Sequence, residues 1–261
     1  MRSFTSSAVV GRGPAAHGPR AGAAGLEIHY EPVGDLATGE VVGAEALLRR
    51  RLPGGVVQIA ARFLPEAEAA GLLVGIGRRV LDRACEQAAG WQARRRGASI
   101  TVNLSATELA DPGLTGWVEA VVTRHALRPE LLILDVPEVV VARAALDGGS
   151  HLQHLRELAG LGVRIAVDDV GTGPAAPTYL PLVPASLLKI DGRVVRGLDR
   201  PHGPQLVSAL AALAGELGLL ALAEGVEHEE LLPRLRGLGC DLAQGYAVGR
   251  ATSPGQIARL L

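Results

Sequence analysis

The chain has 261 residues, 48% of them hydrophobic, which is enough for one large domain with a full core and too apolar for a disordered chain. Its 26 basic and 27 acidic side chains leave a formal charge of −1, so bulk electrostatics give no case for a nucleic acid polymer or an anionic membrane as partner. No apolar run reaches the roughly 18 residues of a membrane span, no sustained apolar stretch follows Met1-Arg2, and Cys85 and Cys240 lack metal-ligand spacing; a cytoplasmic protein with reduced thiols is expected.

Residues 1–25, rich in Gly, Ala, Ser and Pro, read as a flexible tail, and 26–261 as one domain. Short β-like runs are predicted at 26–32, 40–48, 99–104, 131–136, 163–168, 187–190, 219–223 and 241–245. Helical patterns fall between most of them, at 74–89, 114–125, 151–161, 204–217 and 229–238. Gly218 and Gly239 stand just past two of these helices as stops. Alternation of this kind predicts an α/β fold, a modified TIM-type (β/α)8 barrel. Only the turn from Gly34 to Gly39 separates the first two strands, too short for a crossover helix, so they should pair antiparallel.

In such barrels chemistry sits at the C-terminal strand ends. Here those positions hold Glu45, Asn103, Asp135, Asp168, Asp169, Lys189, Glu224 and Gln244. Carboxylates brought together with so few cations repel one another, and divalent cations resolve the conflict; hard oxygen ligands select Mg2+, Mn2+ or Ca2+. Lys189 is the only lysine in the chain and Asn103 the only asparagine, in a sequence that otherwise draws its positive charge from arginine. A site that keeps a lysine in that setting suits a compact ammonium.

Eight motifs run in order along the chain: Tyr30-Glu31-Pro32-Val33, Glu45-Ala46-Leu47 with Arg49, Val102-Asn103-Leu104-Ser105, Asp135-Val136-Pro137-Glu138, Asp168-Asp169-Val170-Gly171-Thr172-Gly173, Lys189-Ile190-Asp191, Ala223-Glu224-Gly225-Val226-Glu227 and Gln244-Gly245-Tyr246. Together they resemble the EAL domain family, the cyclic di-GMP phosphodiesterases. The resemblance implies metal-dependent hydrolysis of cyclic di-GMP to linear pGpG. By that likeness Glu45, Asn103, Asp135, Asp168 and Glu224 would hold one Mg2+ or Mn2+, with Asp169 serving a second. Lys189, Glu224 and Gln244 would act in catalysis, and Glu31, Leu47, Arg49, Asp191 and Gln244 would contact substrate. Glu138 and Glu227 would support the ligands from behind. A homodimer is a family expectation.

The chain departs from the family pattern at several points. Asp135 and Glu31 stand where Glu and Gln are usual, and Arg50 where Trp is common. Val170 replaces a Phe, and the loop that follows reads Pro174-Ala175-Ala176-Pro177, without its usual hydroxyls. Two readings therefore stand side by side: an active phosphodiesterase, or a non-catalytic module that senses cyclic di-GMP or binds a protein.

Overall fold

The computed structural model describes residues 25–92, 97–173 and 177–261. The predicted tail, apart from Gly25, and the loop residues Pro174, Ala175 and Ala176 therefore lie outside the described residues.

Strands β1 (Leu26–Asp35) and β2 (Val41–Arg51) form the expected antiparallel hairpin. Its turn is set by Asp35, whose carboxylate accepts the backbone N–H groups of Ala37 and Thr38 at 2.8 Å each. A third strand, β3 (Val57–Ile59), returns antiparallel along the far end of β2 and was not expected from the sequence. From β2 the sheet continues in parallel through β4 (Ser99–Asn103), β5 (Leu132–Pro137), β6 (Arg164–Val170), β7 (Leu187–Ile190), β8 (Leu220–Ala223) and β9 (Leu242–Gln244). β1 then pairs antiparallel with β9, which closes a barrel of eight strands with β3 as an appendage.

The five expected helices are present as Leu73–Gln92, Leu114–Arg124, Ser150–Gly160, Gly203–Glu216 and Leu231–Gly237. The first buries Val80, Leu81, Ala84, Cys85, Ala88 and Trp91, one stripe at helical spacing, against the outside of the barrel. Gly218 and Gly239 adopt positive φ just past two of the helices, as expected of left-handed stops. One substantial helix was not anticipated, Glu138–Asp147. Both cysteines are free and buried. No helix among the described residues is long and apolar enough to cross a membrane.

Inside the barrel, Val33, Ile133, Ala166, Leu187 and Leu222 pack together with Val42 and Leu242 as an apolar plug. Strand side chains alternate faces, so two residues further along each parallel strand the chain again points inward. Those positions are Asp135, Asp168, Lys189, Glu224 and Gln244; on antiparallel β1 the same step, taken backwards from Val33, gives Glu31. The polar mouth is thus a direct consequence of strand period laid over an apolar floor.

Candidate metal centre and substrate cleft

Lys189 is 1% exposed, and its ammonium meets four carboxylates. Nζ lies 2.7 Å from Glu224 Oε1 and 3.4 Å from both Glu45 Oε2 and Asp168 Oδ1, and it donates a short hydrogen bond to Asp135. Burial alone would push Lys189 down, but Asp135, Glu45, Glu224 and Asp168 hold it well above the usual lysine value. Glu45, in turn, accepts from Asn103 Nδ2 at 2.6 Å and from Gln244 Nε2 at 2.8 Å. Burial would raise its carboxyl, yet Lys189 and these two amides keep it below the ordinary range.

The other acids move the opposite way. Burial pushes Asp135 well above its ordinary value despite Lys189, and raises Glu224 to about 7. Asp169 is raised by burial and by Asp168 beside it. One ammonium is too little charge for this many carboxylates, so the mouth must gain protons or cations.

Asp168, Asp169 and Glu224 come close enough to share an ion: one oxygen from each lies within 4.8 Å of the others. Adjacent residues of a regular strand point to opposite faces, and β6 escapes that rule by a bulge. Its pairing with β7 slips between Val167 and Val170, and Asp169 takes the left-handed φ of 61°. Asp is one of the few side chains that tolerate that conformation. Asp168 Oδ1 accepts the Asp169 backbone N–H at 2.9 Å, which fixes the turn.

Asp135 is the ligand candidate held furthest back. It is 1% exposed, its Oδ2 is taken by Lys189, and its Oδ1 has no hydrogen-bond partner among the described residues. Such an orphaned buried oxygen is costly and fits a group that awaits a cation. Glu45 does not end its strand as expected; β2 runs on to Arg51 because β3 pairs with its last three residues. It does lie near the end of the stretch that pairs with β4, which is why it still faces the mouth.

Two hollows of about 610 and 600 Å3 share Glu45 and Leu47 in their linings. Asn103, Asp135 and Arg49 line the first, where Arg49 is half-buried and donates to the Leu48 carbonyl at 3.1 Å. Glu31, Asp169, Asp191, Glu224, Gln244 and Tyr246 line the second. Gln244 Nε2 donates to Glu31 Oε2 at 3.0 Å as well as to Glu45, so both its N–H bonds are committed to carboxylates. Its oxygen is left as the group to offer a ligand.

Asp191 caps the short helix Gly192–Val195 and pairs with Arg193 and Thr172, which hold its carboxyl down at about 2. Glu138 is buried; its Oε1 accepts from the Tyr179 hydroxyl at 3.0 Å and its Oε2 is unpartnered among the described residues. It therefore tethers the segment Pro177–Leu182 that follows the altered loop. Glu227 is exposed at the rim of the second hollow and is not brought against the acidic ring. Arg193, Arg196 and Tyr246 also line that hollow and were not singled out from the sequence; for Tyr246 the signal available was its place beside Gln244.

Comparison with known proteins agrees with this architecture. The sequence profile described as the EAL domain matches residues 20–251. The chain is 40% identical over 227 residues to the bifunctional diguanylate cyclase/cyclic di-GMP phosphodiesterase MucR of Pseudomonas aeruginosa, covering 86% of this chain and 33% of that protein. A cyclic di-GMP phosphodiesterase of the same organism is 34% identical over 234 residues, 89% of this chain and 39% of its own length. The chain thus spans well under half of either relative. Among solved structures, the PaMucR phosphodiesterase in complex with c-di-GMP superposes with a TM-score of 0.83 at 40% identity, covering 89% of this chain and 94% of that one. The FimX EAL domain of Pseudomonas aeruginosa bound to c-di-GMP gives a TM-score of 0.76 at 27% identity, with 85% and 89% covered. This chain belongs to the EAL domain family.

Proposed function

We propose that the chain is a metal-dependent phosphodiesterase that opens cyclic di-GMP to linear pGpG. The observation that carries this reading is the ring at the barrel mouth, where Lys189 meets Glu45, Asp135, Asp168 and Glu224 with Asp169 beside them. Five carboxylates against one ammonium leave a surplus of negative potential that bound divalent ions would relieve. Mg2+ or Mn2+ suits this all-oxygen set. Glu45, Asn103, Asp135, Asp168 and Glu224 would hold one ion, and Asp169 would contribute to the second. Ions bound there would neutralise charge on phosphoryl oxygens and lower the pKa of a water.

In hydrolysis, water forms one new P–O bond while the bond from phosphorus to a 3′ oxygen breaks. That oxygen leaves as a hydroxyl and takes up a proton. Lys189 remains charged throughout and stabilises the negative charge that develops beside it. Gln244, its N–H groups held by Glu31 and Glu45, presents its oxygen to a proton of the attacking water. Arg49, which lines the first hollow, would pair with a phosphate, and Leu47 and Asp191 border the space that substrate would fill. Two hollows that meet at Glu45 and Leu47 suit a ligand with two bases. Glu138 would steady the loop after Asp169 through Tyr179.

A second reading has its own observation. Asp135 is one methylene shorter than the family's usual Glu and lies against Lys189, so a chain that binds cyclic di-GMP without opening it would also keep this shape. Incubation with cyclic di-GMP and Mn2+, followed by chromatography, separates the two. The enzyme reading expects pGpG from the unaltered chain and none from Glu45→Ala. Binding without product would establish the sensor instead.

The reading further places the chain in the cytoplasm, where its two buried thiols stay reduced, and treats 26–261 as one domain preceded by a tail. A homodimer is part of it. Exposed Val139 and Leu146 on helix Glu138–Asp147, at 65% and 78%, are the apolar surface that supports that part.

A further inference from the structure

Arg193 is the second residue of helix Gly192–Val195, and its side chain is 62% exposed. An exposed ion pair between neighbours in sequence is ordinarily worth little. Here the guanidinium reaches further than its neighbour. Its Nε lies 3.1 and 2.9 Å from the two Asp191 oxygens, and its Nη2 donates both to Asp191 and, at 2.6 Å, to the Thr172 hydroxyl. That hydroxyl has one proton to give, toward Asp191 Oδ2 at 3.2 Å or the Asp169 carbonyl at 3.4 Å. One side chain thus ties the end of β7 to the turn that follows β6, across 21 residues of sequence.

That turn carries Asp169, which is exposed, lies beyond the slip in the β6–β7 pairing and takes a left-handed φ. A non-glycine residue keeps such a backbone only where its surroundings over-determine it. Packing supplies one restraint. Gly171 has φ +99°, and a Cβ there would lie 2.8 Å from Leu210 Cδ1 and 3.2 Å from Val194 Cγ2, so the turn sits closely on the helix that bears Arg193. The contact from Arg193 to Thr172 is the polar restraint beside it. Asp191 also stands close enough to Asp169 to help push its carboxyl up. A carboxylate in that place is a rival ligand for any ion that Asp169 holds. Arg193 and the Thr172 hydroxyl occupy both of its oxygens.

We propose that Arg193 is a positioning residue for the second divalent ion: through Thr172 it fixes the Asp169 turn, and by pairing with Asp191 it keeps that rival away from the ion. This inference rests on the metal-dependent reading above and names a residue that sets the two ion places apart. Glu45, Asn103 and Asp135 stand on the regular strands β2, β4 and β5, and their hydrogen bonds run to Lys189, to Gln244 and to one another. The first place therefore does not depend on Arg193.

The test titrates the metal-free chain with Mn2+ in a calorimeter, without substrate. The unaltered chain should take up two ions. Arg193→Ala should weaken one of them between about tenfold and a hundredfold, the range for a group that orients a ligand from behind, and leave the other within about twofold. Thr172→Val should show the same selective loss, while Thr172→Ser, which keeps the hydroxyl, should stay within about twofold of the unaltered chain. The double variant Arg193→Ala with Thr172→Val should lose no more than the larger single loss, because the two side chains act as one tie. Arg193→Lys keeps the charge without the fork and should remain about as weak as Arg193→Ala. The midpoint of denaturant unfolding without metal should not move in any of these variants. Equal weakening of both ions, additive losses, full recovery in Arg193→Lys, or losses that track the unfolding midpoint would each overturn the proposal. Fewer than two ions on the unaltered chain would sink the two-ion reading and the proposal with it; two ions whose affinities ignore Arg193 would remove the proposal alone.

Discussion

Lys189 is the residue on which the mouth depends before any ion arrives. Its ammonium is the shared partner of Glu45, Asp135, Asp168 and Glu224, so Lys189→Met leaves those carboxylates facing one another in a buried site. Unpairing a buried charge cluster costs about 3–5 kcal/mol, which denaturant unfolding of the metal-free protein should register. Added Mn2+ should recover much of that loss, because an ion that binds only the folded chain stabilises it. Equal stability of the two proteins without metal would contradict this account. Lys189→Arg tests shape rather than charge: a planar fork cannot meet four carboxylates around one point, so turnover should fall strongly while the fold survives. Near-normal rates in that variant would remove the argument from the chain's single lysine. Asp135→Glu, which restores the usual length, should bind Mn2+ more tightly by calorimetry; weaker binding would show that the recess around Asp135 has closed to a longer side chain. At this scale the gathering of the strand-end polar residues around Lys189 was legible, because few residue types place an oxygen at a strand end. Arg193 and Arg196 were not, since nothing in a sequence rich in arginine marks which ones border the mouth.

Among the elements, strand period made the parallel strands readable and placed their polar ends correctly. Two elements escaped for physical reasons. Helix Glu138–Asp147 opens on Val139-Val140-Val141, a β-branched run that spells strand locally and is helical only because Val141, Ala142, Ala144 and Ala145 bury one face. β3 is three residues of Val-Gln-Ile, too short for a pattern to register, and its pairing is what carries β2 past Glu45 to Arg51. The turn after β9 yields a prediction of its own. Gly245→Ala forces a Cβ against the Val226 backbone at a φ that L residues avoid, and should cost about 2 kcal/mol or more in unfolding free energy. The same change should weaken binding of a slowly hydrolysed analogue of cyclic di-GMP, since Gln244 and Tyr246 flank the strained position. A variant as stable as the unaltered chain would mean that the turn can open without cost.

Across the molecule, an apolar cluster inside the barrel underlies the acidic mouth, so among the described residues the strand-end side chains meet ligand and ions from the mouth side. Barrel class and the antiparallel opening hairpin followed from element order and one short turn; closure between β1 and β9 could not be read without the fold. If helix Glu138–Asp147 is a dimer face, sedimentation should report a dimer that Leu146→Arg converts to monomer, and a monomeric unaltered chain would contradict that part of the reading. The most direct test of the central claim is to strip the protein with EDTA and follow cyclic di-GMP turnover as Mn2+ is returned. The account predicts no pGpG from the stripped protein, activity restored as about two ions bind per chain, and none at any Mn2+ level in Glu45→Ala. Turnover by the stripped protein, or none from the unaltered chain when saturated with Mn2+, would contradict it.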